Sequence, residues 1–323
     1  MPRAIRIEKV GGPEVMRLED VPVAEPGQGE VRVRHGAIGV NFIDVYHRTG
    51  LYPLPLPSGL GVEGAGTLEA VGPGVANLRP GDRVAYLGPV GAYAQSRVLP
   101  ADRCVKVPEG VDDLTAAAVF MKGLTVRSLV RRTYPLKSGE TILVHAAAGG
   151  VGQLLVQWAK AIGATVIGTA GSDEKAALAR ENGCDHIIVY TREDFPKRVR
   201  ELTSGKGVQV VYDAVGAATF QGSLDCLAPL GLMVTFGNAS GPVPPLDVRQ
   251  LATKGSLFLT RPTVYTYIAS HEALQAAATD VFEALRTGAL RPRPPRTWPL
   301  GEAAAAQRAL EARQTTGSIV LLP

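Results

Sequence analysis

The apolar positions of this chain change period twice, and the changes divide it. Up to about Gly123, short alternating runs at 3–8, 15–19, 30–38, 64–71, 83–87 and 105–107 are broken by Gly and Pro. A period of two with frequent turn signals predicts a small antiparallel barrel or sandwich. From about Leu124 to Arg261 strands and helices alternate. Thr141-Ile142-Leu143-Val144-His145 is a short apolar, β-branched run, the pattern of a strand buried in a parallel sheet. Val151, Leu154, Leu155 and Trp158 then recur at i, i+3, i+4 and i+7, one face of a helix that stops at Gly163. Further strands are expected to begin near Thr165, His186, Val208, Leu232 and Leu257, with helical segments between them. That is the plan of an α/β protein built on a doubly wound parallel sheet. From about Pro262, helices at 270–287 and 301–313 precede a strand at 318–322. This strand is too far from the parallel set to join it and is read as returning to the first domain. The expected domains are 1–123 with 262–323, and 124–261.

A strand, a glycine turn and a helix in that order build a dinucleotide site. Ala146 and Ala147 lead into Ala148, Gly149, Gly150, Val151 and Gly152, where glycines let backbone approach a pyrophosphate and the helix N-terminus holds its charge. A bare glycine pair would be no more than a turn; the strand before and the helix after supply the context the motif requires. The second strand ends in Ala170-Gly171-Ser172, where an NAD site would place Asp or Glu for the ribose 2′-hydroxyl. Ser172 offers a hydroxyl donor, and Lys175 a positive charge one turn further. A charge-assisted bond is worth about 1.5–3 kcal/mol, enough to choose between two cofactors that differ by one phosphate. Ser172 also suits an N-cap, with Asp173 and Glu174 in the first turn and Lys175 then merely solvated. The two roles are compatible, and the missing acid points to NADPH.

Composition narrows the class. Of 323 residues, 46% are apolar and 20% charged, as in ordinary globular proteins. No apolar run reaches the roughly 18 residues of a membrane span, and the N-terminus enters an alternating strand without a signal-peptide core. Three scattered cysteines, Cys104, Cys184 and Cys226, form no disulfide framework, so a reducing cytoplasm is expected. The net charge of +4 is not gathered into a basic tract and gives little support to nucleic-acid binding as the main role.

Four stretches carry a family resemblance. One comprises Gly139-Glu140, Leu143, Ala147-Ala148-Gly149-Gly150, Gly152, Gln157 and Lys160. Another is Gly39-Val40-Asn41-Phe42-Ile43-Asp44 through Tyr46 to Gly50-Leu51-Tyr52-Pro53. The others are Pro57-Ser58-Gly59-Leu60-Gly61-Val62-Glu63-Gly64 and Phe236-Gly237-Asn238-Ala239-Ser240-Gly241. Together they resemble the quinone oxidoreductase and ζ-crystallin branch of the medium-chain dehydrogenase/reductases, most of all its bacterial NADPH:quinone reductases. The resemblance implies a GroES-like catalytic domain, a Rossmann cofactor domain and an active-site cleft between them. It also implies homodimers joined through the last cofactor-domain strand, here around Ser256 to Thr260, and an exposed apolar edge strand invites such pairing. Zinc-dependent relatives carry a catalytic Cys where this chain has Asn41, and a His before Glu where it has Val62 before Glu63. Their four-cysteine cluster is also absent. No metal ligand set can be assembled, and a zinc-free reductase is expected.

Without a metal, direct hydride transfer to a quinone is the least demanding chemistry, because the resulting oxyanion is delocalised. The protein then mainly holds donor and acceptor together, with a hydrogen-bond donor near the developing charge. The loop from Asn41 to Tyr52 offers Asn41, Tyr46 and Tyr52 as neutral donors, although each tyrosine could equally be structural. Lys122, Gly123 and Thr125 stand at the expected domain crossover, where a cleft would open to the nicotinamide. Tyr190 could stack near the adenosine. Gly216, Phe236, Gly237, Asn238 and Ser240 leave the carboxyl ends of the fourth and fifth strands, the side on which such sheets bind ligands; residues 236–241 could also be simple chain reversal. Arg261 reads as a phosphate or cleft charge or as an exposed hinge residue. Other readings stay open: reduction of α,β-unsaturated ketones or aldehydes, or a mainly NADPH-binding protein like the branch's crystallins and AU-rich RNA binders.

Overall fold

Ile5 and Ile7 are buried and Arg6 between them is less so along the first strand, β1 (Arg3–Ile7), as an alternating run requires. The structure, a computed structural model, describes residues 1–323. β2 (Arg17–Asp20) pairs with β1 antiparallel, Leu18 opposite Ile5. β3 (Glu30–Val40) alternates buried Val31 and Val33 with less buried neighbours and leads into a helix, α1 (Phe42–Thr49). The two-residue strand β4 (Ser58–Gly59) completes a small sheet in the order β2-β1-β4. β5 (Glu63–Val71), β6 (Arg83–Leu87), β7 (Ser96–Pro100) and β8 (Cys104–Lys106) build a larger sheet on β3. The β3–β5 register shifts at Arg32/Val33 and again at His35/Ala37, irregularities of the kind that bend a strand around a core. That core contains Ile5, Ile7, Val33, Ile38, Leu60 and Leu68.

Helix α2 (Asp113–Ser128) follows. Internal contacts divide the chain into two units, residues 1–122 with 270–282 and 292–323, and residues 123–269 with 283–291. Relative to expected domains of 1–123 with 262–323 and of 124–261, the second unit also includes 123, 262–269 and 283–291.

In the second unit, apolar runs become strands and amphipathic runs become helices in strict alternation. The elements are β9 (Thr141–Val144), α3 (Gly150–Ile162), β10 (Thr165–Ala170), α4 (Asp173–Glu181), β11 (His186–Val189), α5 (Phe195–Leu202) and β12 (Val208–Asp213). They continue through α6 (Phe220–Cys226), β13 (Leu227–Thr235), α7 (Arg249–Thr253) and β14 (Phe258–Thr260). The six strands are parallel in the order β11-β10-β9-β12-β13-β14, the doubly wound order that reverses at the first strand. β13 begins at Leu227, not at the expected Leu232. Pro229-Leu230-Gly231 interrupts it with Leu230 at φ 60°, and the register on β12 jumps there, so a signal that reads as a turn lies within the strand.

The chain then forms α8 (Val264–Tyr267), α9 (His271–Arg286), β15 (Arg296–Pro299), α10 (Ala303–Glu311) and β16 (Ile319–Leu322). β16 lies antiparallel on β3, Val320 opposite Gly39, so the closing strand returns to the larger sheet of the first unit. β15 beside it was not predicted, since its four residues follow a Pro-rich stretch that reads as turn. The larger sheet runs β15-β16-β3-β5-β6-β8, with β7 on β3.

Candidate active site

At the end of β9 the backbone turns through Ala146, whose φ of 52° is unusual outside glycine, and Gly149 N donates to Ala146 O at 2.8 Å. Gly149 is the extended N-cap of α3 and no side chain caps that helix. A Cβ on Gly152 would stand 2.2 Å from Ala146 O and 2.9 Å from Ala147 Cα, so only glycine lets the first helical turn close onto the strand end. Ala148, Gly149, Gly150, Val151 and Gly152 are thereby gathered at one helix N-terminus. Its backbone N–H groups and dipole suit a diphosphate, so the residues present fit a dinucleotide.

At the end of β10, Ser172 caps α4, its Oγ accepting from Lys175 N at 3.3 Å. A Cβ on Gly171 would meet the Tyr190 hydroxyl at 2.7 Å. Gly171, Ser172, Lys175 and Tyr190 thus share the carboxyl ends of β10 and β11. Arg192, which sequence reasoning missed, forks onto the Asp173 carboxylate at 2.6 and 2.8 Å. The acid next to Ser172 is therefore paired.

β12 ends in the buried Asp213, which organises its own turn. Oδ1 accepts from Val215 N at 2.6 Å and Gly216 N at 3.1 Å, and Oδ2 accepts from Thr219 Oγ1 at 2.7 Å. Ser240 N and Oγ both donate to Val215 O, at 2.7 and 2.8 Å, while Phe236 N donates to Asp213 O at 2.8 Å. Gly216, at φ 92°, and Gly237 let the two turns touch: a Cβ on either would come within 2.6 Å of a carbonyl oxygen of the other loop. Gly241 N donates to Asn238 O at 2.9 Å, closing the second turn. Arg261 Nη1 donates to Thr235 Oγ1 at 3.2 Å and Gly237 O at 3.4 Å, bracing that turn. His145, buried beneath, contacts Thr169 Oγ1 and Ser223 Oγ at 3.0 and 2.9 Å. Burial holds its pKa below the usual imidazole value. Since Ser223 Oγ donates to Thr219 O at 2.8 Å, Nε2 is assigned as the donor to Ser223 and Nδ1 as the acceptor from Thr169.

The stretch 41–52, expected as a loop, is largely the helix α1. Asn41 is its N-cap, Asp44 Oδ2 accepts from Asn41 N at 2.8 Å, and Gly50 at φ 82° ends it. The Asn-x-x-Asp spacing and the following Gly are the signals that could have revealed it. Tyr46 and Tyr52 meet edge to face, ring centroids 5.2 Å apart, and Tyr52 N donates to Tyr46 O at 3.0 Å. Asn41, Tyr46 and Tyr52 are therefore carried by one short helix and its closing turn.

Beneath α1 lies a buried polar cluster that periodicity could not reveal. Glu63 accepts from Asn41 Nδ2 at 2.7 Å, Met121 N at 2.8 Å and Lys122 Nζ at 3.2 Å. Lys122 lies inside α2, at the boundary where the first unit gives way to the second, and its buried ammonium is bonded to Glu63. Thr125 stands on the same helix, half-buried. Tyr93 Oη donates to Asp44 Oδ2 at 2.9 Å and accepts from Gln307 Nε2 at 3.3 Å. Burial pushes the Asp44 carboxyl up to about 7, against the pull of the Asn41 and Tyr93 hydrogen bonds.

Two family models match parts of the chain. One described as zinc-binding dehydrogenase matches residues 150–282, and one described as the alcohol dehydrogenase GroES-like domain matches residues 27–109. A quinone oxidoreductase of Pseudomonas aeruginosa is 54% identical over 325 residues, with 100% of both chains covered. A 2-haloacrylate reductase of a Burkholderia species is 46% identical over 332 residues, covering 100% of this chain and 99% of its own. The crystal structure of Escherichia coli quinone oxidoreductase complexed with NADPH matches with a TM-score of 0.98 at 45% identity, covering 99% of this chain and 100% of that one. Zinc does not fit the donors found here. No three His, Cys, Asp or Glu side chains converge, and the Glu63 carboxylate beside the Asn41 side chain is taken up by an ammonium and an amide.

Proposed function

Because this chain belongs to the quinone oxidoreductase branch of the medium-chain dehydrogenase/reductase family, we propose that it reduces quinones with NADPH as the reductant. The observation that carries the reading is the end of β10, where Ser172 and Lys175 stand in place of an acid and Arg192 neutralises the carboxylate nearby. Bound NADPH supplies a hydride from its nicotinamide. The N-terminal N–H groups of α3 hold the diphosphate. Ser172 Oγ–H and Lys175 Nζ hold the 2′-phosphate, and Tyr190 covers the adenosine. The braced turns from Gly216 to Arg261 keep the carboxyl edge of the sheet in shape. Asn41, Tyr46 and Tyr52 present hydrogen-bonding groups to the acceptor, which takes the incoming charge into a delocalised system and so requires positioning above all.

A second acceptor class is supported by the full-length similarity to a 2-haloacrylate reductase, since an activated double bond accepts hydride by the same logic. Oxidation of NADPH against a 1,2-quinone, a 1,4-quinone and an enone separates the two. Quinone turnover with NADPH much exceeding NADH is expected; turnover confined to the enone transfers the assignment to the second reading, and none with any acceptor rejects both.

The proposed assembly is a homodimer through the edge strand β14, within residues 256–260, where Phe258 is 60% exposed. No helix is long and apolar enough to cross a membrane. A reducing cytoplasm suits the three buried, unpaired cysteines.

A further inference from the structure

We infer that Glu63 is a positioning residue for Asn41, fixing which face of the Asn41 amide is turned to the acceptor; this rests on the quinone-reductase reading above. Three observations carry it. First, a carboxylate only accepts hydrogen bonds, so the contact at 2.7 Å must be made by Asn41 Nδ2, and Oδ1 is turned away from Glu63. An asparagine bonded only to water or hydroxyls could flip; this one cannot without setting two oxygens against each other. Second, Glu63 is itself immobilised. It is fully buried, Oε2 accepts from Met121 N at 2.8 Å, and Oε1 also receives Lys122 Nζ at 3.2 Å. Gly39 leaves the space it occupies, since a Cβ there would stand 2.2 Å from Oε1. Third, the main chain of Asn41 is held independently, its N–H donating to Asp44 Oδ2 at 2.8 Å. Asn41 is therefore clamped twice, by Asp44 through the backbone and by Glu63 through the side chain. Glu63 holds the NH2 end of that amide, and the capping box with Asp44 sets its oxygen toward the helix N-terminus.

Glu63→Gln tests this, because a glutamine can turn either its oxygen or its NH2 toward Asn41 and no longer dictates the flip. A double-mutant cycle with Asn41→Ala separates positioning from bulk structure. Glu63→Gln is expected to lower kcat/KM for the quinone about tenfold when Asn41 is present and less than about twofold in the Asn41→Ala background. Equal losses in both backgrounds, or no loss with Asn41 present, overturn the inference. A readout independent of turnover is hydrogen exchange of the nitrogen-labelled Asn41 side-chain amide. It is expected to be slow in the wild type and fast in Glu63→Gln; unchanged exchange also overturns the inference. Should Glu63→Gln fail to fold because Lys122 is left unpaired, E63Q/K122M removes both charges together and the same measurements apply. Absence of quinone turnover in the wild type rejects the functional reading alone, and the exchange measurement still decides the clamp.

Discussion

The hydroxyl of Tyr93 donates to Asp44 Oδ2 across 2.9 Å, and both side chains are completely buried. Asp44 Oδ1 has no partner at all. One carboxyl oxygen is thus satisfied twice, by Tyr93 and by Asn41 N, and the other not at all, which is why burial wins and the carboxyl is pushed up to about 7.

A pH signature follows. The ordinary value is 3.8 and the folded value about 7, so between them the folded protein keeps a proton the unfolded chain has lost. Asp44 therefore contributes stability that is fully present below the ordinary value and lost as pH rises toward 7, by at most ~1.4 kcal/mol per pH unit. Asp44→Asn removes that slope. Denaturant unfolding of both proteins across this range is expected to give a stability difference that changes with pH and levels off above about 7. A constant difference would contradict the assignment.

Gly152→Ala places a methyl against two backbone atoms that cannot move aside, Ala146 O and Ala147 Cα. The first turn of α3 must lift from the end of β9, withdrawing the N–H groups proposed to hold the diphosphate. NADPH affinity is expected to fall by about tenfold or more, with unfolding easier by about 1–3 kcal/mol. Calorimetric titration checks it, and unchanged affinity would place the diphosphate elsewhere.

Arg192→Ala leaves the Asp173 carboxylate unpaired beside Ser172. The expected result is NADPH binding weakened by about three- to tenfold, NADH binding unaltered, and recovery on adding Asp173→Asn. Both partners are exposed, so the effect should shrink at high salt. Lys175→Ala is expected to act in the same direction, by about tenfold and on NADPH alone. Equal losses for both cofactors would remove the 2′-phosphate from this corner.

The parts of the molecule legible in its sequence are those governed by period and by backbone freedom. Val151, Leu154, Leu155 and Trp158 face one way because a helix turns in 3.6 residues, and α3 stops at Gly163, at φ 97°, as glycine permits. What escaped was long-range or locally ambiguous. α1 is only eight residues long, and its cap signals sit inside a Gly- and Pro-rich stretch that reads as loop. Glu63, Lys122, Asp44, Tyr93 and Gln307 meet from distant parts of the chain, and no local pattern foretells that a charged residue will be buried beside its partner. Lys122 shows that gap: no local signal announces its bond to an acid 59 positions away.

The free edge of β14 bears the last prediction. β14 pairs with β13 on one side and ends the parallel sheet, so its outer backbone groups have no strand partner, and Phe258 is 60% exposed beside Leu259. A bare apolar edge templates another strand, and a symmetric pair of copies satisfies both edges at once. Phe258→Asp would set two like charges against each other across such a pair and remove the apolar contact. The wild type is expected to sediment as a dimer, and Phe258→Asp to weaken association by about a hundredfold or more, ~3 kcal/mol. NADPH binding per chain should be retained, since no group proposed to hold the cofactor lies on β14. A monomeric wild type, or a variant that dimerises as before, would show that the copies do not meet along this strand.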